Sequence, residues 1–290
     1  MEGQVRKGGT PVERCRDKPR FALCTISHRE KLLEYVLEVA KDLGFESVEL
    51  WGREPHISEK FDENRVQAAR RMIEERGLHL CCLGSYVVFG PVRTRAEELA
   101  ELDDTLYTAR CLRAPIVRVW ASDIGAAKAT KKQWDQTVGQ VQEACDRAAR
   151  LNLVLAAEMH DDTLADSADS SLRLLELVDR PNFKLNFEVA HREVEEKPVD
   201  RLERVLEHVV HVHLRNFATH AGENGDRPQW APISEGLIDY MPLLDLLVSS
   251  KYDGCYALEF ACREGTGKRE SLAADLTYLK SLFRLTGRTT

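Results

Sequence analysis

The chain has 290 residues, 43% of them hydrophobic, with 41 Lys and Arg against 48 Asp and Glu and a formal net charge of -7. That length and apolar content supply a core for one large domain or two ordinary ones. The negative balance argues against a surface given over to phosphate backbones, and no apolar run approaches the length needed to cross a bilayer, so neither nucleic acid nor membrane is an expected partner.

Residues 1–20, MEGQVRKGGTPVERCRDKPR, carry six basic and three acidic side chains and no apolar run. They read as a flexible basic tail, neither signal nor anchor. The eight cysteines, Cys15, Cys24, Cys81, Cys82, Cys111, Cys145, Cys255 and Cys262, contain no C-x-x-C. Scattered through apolar runs, they read as reduced thiols packed as small hydrophobes, which fits a cytoplasmic protein.

From residue 21 to 290 the pattern is one of alternation. The β-rich runs are, in order, RFALCTI, SVELW, LHLCCL, PIVRVWA, LVLAAE, FKLNFE, VVHVHL and CYALEF. Between them lie amphipathic stretches such as EKLLEYVLEVAKDLG, AEELAELDDTLYTARCL and SLRLLELVD, whose leucines recur at three and four. Ser27 with Glu30, Thr94 with Glu97 and Thr130 with Gln133 have capping-box spacing, and Gly44 and Gly77 stand where helices should stop. Eight strand–helix units with right-handed crossovers predict an α/β fold, a single-domain (β/α)8 TIM barrel. An open doubly wound sheet would announce a Gly-rich turn after its first strand, and CTISHRE offers none.

Barrel chemistry sits where strands run out, so the last polar residues of each strand are the informative ones. Strand five ends with Glu158 and His160, strand six with Glu188 and His191, strand seven with His213, and strand eight with Glu259. By alternation these side chains share the face opposite the apolar residues, and His211 points the same way as His213. Three carboxylates in a low-dielectric mouth cannot all stay ionised without a cation. Either they pair with lumenal basic groups such as Arg118 or Lys184, or they bind a divalent metal. Glu158, Glu188, His213 and Glu259 make a hard donor set for which Mn2+ is the expected ion, with Mg2+, Co2+ or Zn2+ as alternatives.

The stretches EMHDDTLADSADSSLRLLELVDRPNFKLNFEVAH, HVHLRNF, WAPISEGLIDY and YDGCYALEF, together with FESVELWG and IVRVWAS, resemble the xylose-isomerase-like TIM barrels of the sugar isomerase/epimerase superfamily. The resemblance implies metal ligation by Glu158, Glu188, His213 and Glu259, with Glu188 standing where the family usually has Asp. It implies substrate contacts at His160, His191 and Arg215, and leaves His211 as a buried hydrogen-bonding group one layer below His213. The additional histidines that trinuclear apurinic-site endonucleases require are not matched, which disfavours that activity.

The expected reaction is therefore metal-dependent isomerisation or epimerisation of a small ketose or keto-polyol, with Glu158 and Glu259 as catalytic base and acid. A metal-dependent dehydratase acting on an inosose-like or dehydroshikimate-like substrate is the alternative. A non-catalytic sugar-binding barrel is a third reading, and a homo-oligomer is compatible with all of them. EGTGKRES lacks the first glycine of a Walker motif, but Arg263, Lys268 and Arg269 stand in the loop that barrels often use for phosphate. The long segment from Ala218 to Tyr240, read as unstructured, carries Trp230 in a W-x-P-x-x-E-G pattern with Pro232, Glu235 and Gly236. It is expected to act as a lid that brings Trp230 to the substrate.

Overall fold

The structure, a computed structural model, describes residues 20–90, 95–192, 194–222, 227–261 and 267–286. The basic tail, the capping pair at Thr94 and Glu97, and Arg263 lie outside the described residues. The strands are β1 (Arg20–Cys24), β2 (Ser47–Trp51), β3 (His79–Phe89), β4 (Ile116–Ala121), β5 (Val154–Glu158), β6 (Phe183–Phe187), β7 (Val209–Leu214), β8 (Asn216–Thr219), β9 (Gln229–Ala231) and β10 (Cys255–Leu258). β1 to β7 and β10 close into one parallel barrel, β10 pairing with both β7 and β1. The surrounding helices are α1 (Leu33–Leu43), α2 (Glu63–Glu75), α3 (Arg95–Leu112), α4 (Lys131–Arg150), α5 (Ala168–Val178), α6 (Pro198–Val205), α7 (Tyr240–Ser249) and α8 (Gly267–Leu285).

All eight predicted strands form, and the chain is a (β/α)8 TIM barrel. Boundary chemistry holds where the local signal is complete. Thr130 Oγ1 accepts from Gln133 N while the Gln133 side chain accepts from Thr130 N, closing a capping box on α4. Gly44 ends α1 at φ 80° and Gly77 follows α2 at φ 69°, the left-handed backbone that favours glycine.

Three local expectations are corrected. The pair Ser27 and Glu30 caps nothing, because Thr25–His28 forms a 3-10 turn and α1 begins only at Leu33. Glu30 instead accepts from Lys268 Nζ at 3.0 Å. β3 runs six residues past Leu83, through Gly84 to Phe89, and its register against β4 shifts between Gly84 and Val88. The segment after β7 is not unstructured: β8 and β9 pair antiparallel, Phe217 opposite Trp230. Strands of four and three residues are too short for their alternation to be read from sequence.

The main apolar core fills the layer between strands and helices. A separate small cluster of Ala22, Cys81, Cys82, Cys255 and Ala257 forms on the strands themselves, Cys255 and Ala257 sharing the face of Glu259 by alternation. Burial pushes the thiols of Cys24 and Cys82 well above the usual range and that of Cys145 up to about 12. Among the described residues no helix is long and apolar enough to cross a membrane.

Candidate active site

Parallel strands bring their carboxyl-terminal ends to one rim, and four of them deliver the predicted donors there. Glu158 is the last residue of β5, Glu188 and Glu259 directly follow β6 and β10, and His213 is the penultimate residue of β7. His213 Nδ1 lies 3.0 Å from Glu158 Oε1, 3.3 Å from Glu188 Oε2 and 3.8 Å from Glu259 Oε2. One donor atom from each of the four residues fits within 4.8 Å of all the others, and each residue is buried. The extra methylene of Glu188 does not remove it from this set.

Two guanidinium groups share the rim. Arg118, on β4, places Nη1 3.3 Å from Glu158 Oε2, and Arg215, just after β7, pairs with Glu188 and lies 2.8 Å from Glu259 Oε2. Of the lumenal basic groups weighed as partners of these carboxylates in place of a metal, Arg118 does pair with one of them, and Arg215 pairs with two more. Lys184 stands nearer the opposite end of β6, where its charge acts on His208.

Sequence reasoning missed Glu49. It sits in the middle of β2, fully buried, and its Oε2 is 2.8 Å from both His211 Nε2 and His213 Nε2. A signal was present: a lone carboxylate among Val48, Leu50 and Trp51, with the alternation of a strand whose other face is apolar. The expectation for His211 holds, since it is buried one layer below His213 and hydrogen-bonded.

Charge accounting then tests the metal. Among the described residues the rim holds four buried carboxylates, Glu49, Glu158, Glu188 and Glu259, against two buried guanidinium groups, Arg118 and Arg215. With neutral imidazoles two negative charges remain, which one divalent cation would balance. Burial pushes the Glu188 carboxyl up to about 7 against the pull of Arg215, and the carboxylates around His213 outweigh burial to hold its imidazole well above the usual range. Burial pushes Glu158 up too, but Arg118 and His213 overcome it and hold that carboxyl well below the usual range. The Oε2 atom of Glu158 is buried and, apart from its ion pair with Arg118, has no hydrogen-bond partner. The donor set fits a hard divalent ion on charge, ligand type and spacing.

Above the rim opens a cavity of about 1070 Å³, lined in part by Glu158, Glu259, His160, His191, Arg215 and Trp230. The His160 ring lies 4.6 Å from Trp120 and 4.9 Å from His191, whose Nε2 is 3.7 Å from Glu188 Oε1. Burial, reinforced by Arg215, holds the His191 imidazole well below its ordinary value, so it is neutral at physiological pH. Trp230 stacks on Phe260 at 4.8 Å and stands 5.9 Å from His191. Lys268 and Arg269, expected in the loop after the eighth barrel strand, lie in the first turn of α8, where Lys268 lines the cavity and Arg269 turns away to Asp42 at 2.9 Å.

The segment behind Trp230 is pinned. The Asn216 side chain accepts from Phe217 N and Ile238 N and donates to the carbonyls of Ile233 and Ile238, at 2.9 to 3.0 Å. Gly236 packs directly against that amide, so any side chain there would collide with it. Ile233 N donates to the buried carboxyl of Asp275 on α8 at 2.8 Å.

The chain is thus a closed parallel barrel whose strand ends converge on carboxylates and one histidine, a cluster that could hold a divalent metal. The chain belongs to the xylose isomerase-like TIM barrel family, whose profile matches residues 37–282. Among its curated relatives are enzymes of two kinds. It is 24% identical over 235 residues to the 3-dehydroshikimate dehydratase of Bacillus anthracis, covering 76% of this chain and 84% of that one. It is 24% identical over 233 residues to the L-ribulose-5-phosphate 3-epimerase of Shigella flexneri serotype 5b, covering 77% and 80%. Among solved structures, a xylose isomerase-like TIM barrel protein from Mycobacterium smegmatis in complex with magnesium aligns at a TM-score of 0.69 and 17% identity, over 92% of this chain and 97% of that one.

Proposed function

We propose that this chain is a divalent-metal-dependent enzyme that moves a proton at the carbon next to a carbonyl in a small ketose or keto-polyol, as a sugar isomerase or epimerase. The observation that carries the reading is the pair Glu158 and Glu259, both facing His213 Nδ1 and both lining the cavity. A divalent ion, Mn2+ in this reading, would be held by Glu158, Glu188, His213 and Glu259 and would polarise the carbonyl, acidifying the adjacent C–H. Glu158, kept ionised by Arg118, accepts the proton, and Glu259 returns one to the other face or the neighbouring carbon. His160, His191 and Arg215 orient hydroxyl groups, and Trp230 with Phe260 closes an apolar wall that excludes water. The test is solvent exchange: the wild type should wash deuterium from D2O into the product, and Glu158→Gln or Glu259→Gln should abolish it. Retained exchange in both variants overturns the assignment.

One observation favours a second outcome. Arg118 lines the cavity, and beyond its Nη1 ion pair with Glu158 at 3.3 Å its Nε is buried without a hydrogen-bond partner, a cationic lining that suits an acidic substrate better than a neutral ketose. The same proton removal from a cyclic hydroxy keto acid, followed by loss of the β-hydroxyl as water, is a dehydration, in keeping with the dehydratase among the relatives. Product mass separates the two outcomes, since water loss also creates new ultraviolet absorbance and epimerisation conserves mass.

A further inference from the structure

We propose that Glu49 is the positioning residue of the site: it fixes the tautomer of His213 in which Nε2 carries the hydrogen and Nδ1 offers its lone pair to the metal. The proposal rests on the metal reading above and extends it to a residue that lies outside the four donors. A carboxylate accepts hydrogen bonds and cannot give them, so the contact of 2.8 Å between Glu49 Oε2 and His213 Nε2 keeps a hydrogen on that nitrogen and leaves Nδ1 as the one at which a divalent ion would replace a proton. Nδ1, on the other edge of the ring, then faces Glu158, Glu188 and Glu259. An outer carboxylate that orients a ligating imidazole in this way also raises its basicity.

Three further features suit this role. The same oxygen receives His211 Nε2 at 2.8 Å, and the two rings meet edge to face at 5.4 Å, so His211 braces the carboxylate from below. The backbone makes room for it: a Cβ on Gly84 of β3 would lie 2.8 Å from Glu49 Oε1, which makes glycine the residue that fits there. Finally, Glu49 supplies one of the four negative charges that set the rim's demand for two positive ones, while its Oε2 contacts His213 at Nε2 and not at the Nδ1 that faces the other three carboxylates. The competing arrangement is that Glu49, His211 and His213, whose donor atoms also gather within 4.8 Å, hold an ion of their own. A single oxygen at hydrogen-bond distance from both rings favours the bracing role.

The experiment is calorimetric titration of the metal-free protein with Mn2+, in wild type and Glu49→Gln, each checked for folding by thermal melting. Glu49→Gln keeps the shape and removes the charge, and its affinity should fall 10- to 100-fold at an unchanged stoichiometry of one, about the loss typical of an outer partner. Gly84→Ala, which leaves the carboxylate in place but crowds it, should weaken binding in the same direction. A second measurement uses only the wild type: with Mg2+ bound and histidines labelled with 15N, His213 should be protonated at Nε2 and bare at Nδ1. Wild-type-like affinity in folded Glu49→Gln, a proton on Nδ1, or a second Mn2+ equivalent that disappears in Glu49→Gln would each overturn the proposal. None of these readouts uses substrate, so failure of the proton-transfer assignment would show separately, as a metal-binding protein without exchange activity; a wild type that takes up no divalent ion overturns both.

Discussion

At the scale of single residues, the site is a balance of buried charges, and its predictions follow from tipping that balance. His213→Ala removes the one nitrogen donor, and its bound Mn2+ should be lost, with affinity falling more than the roughly 100-fold expected for an outer partner. Arg118→Met does the opposite. It leaves Glu158 buried beside one fewer cation, so the metal-free protein should lose about 3–5 kcal/mol of stability while the divalent ion binds more tightly. Chemical denaturation with and without Mn2+ checks both halves. The residues that end strands were legible because a polar group after a β-branched run is conspicuous, which is how Glu158, Glu188, His213 and Glu259 were found. Glu49 was not, because it lies inside its strand, and its meaning depends on His211 and His213, more than 160 positions away along the chain.

At the scale of elements, the hairpin of β8 and β9 decides how Trp230 reaches the cavity. Trp230→Ala should lower turnover while leaving Mn2+ bound, and substrate should protect the amides of this segment from exchange; unchanged kinetics and exchange would reduce it to a connection. Its base is a fitted piece, and Gly236→Ala should cost about 1–3 kcal/mol by forcing the Asn216 amide out of its four hydrogen bonds. The strut to α8 makes the same region sensitive to pH. Burial raises the Asp275 carboxyl from 3.8 to about 6. The folded protein therefore holds a proton that the unfolded chain has released, and stability falls as pH rises between those values and is level above them. Asp275→Asn should match the wild type near pH 4 and exceed it by about 2 kcal/mol at pH 7, measured by urea unfolding. Helices and barrel strands were readable from period and caps, whereas this hairpin, the 3-10 turn at Thr25–His28 and the extension of β3 are fixed by tertiary partners.

At the scale of the whole molecule, eight repeats of one strand–helix pattern made the barrel readable before any contact was known, since closure follows from the count and the hand of the crossovers. Because the donors come from four strands, the ion would tie distant parts of the sequence together. Mn2+ at 100 times its dissociation constant should raise unfolding free energy by about 2.7 kcal/mol, seen as a higher melting temperature that EDTA reverses. The buried thiols add a way to watch this from inside. Cys24, Cys82 and Cys145 are at most 4% exposed and are held protonated by their surroundings, so an alkylating reagent finds neither access nor thiolate while the barrel is closed. Their labelling rate becomes a clock for the opening of the entire fold, one that ticks without denaturant and should slow in proportion as the rim fills.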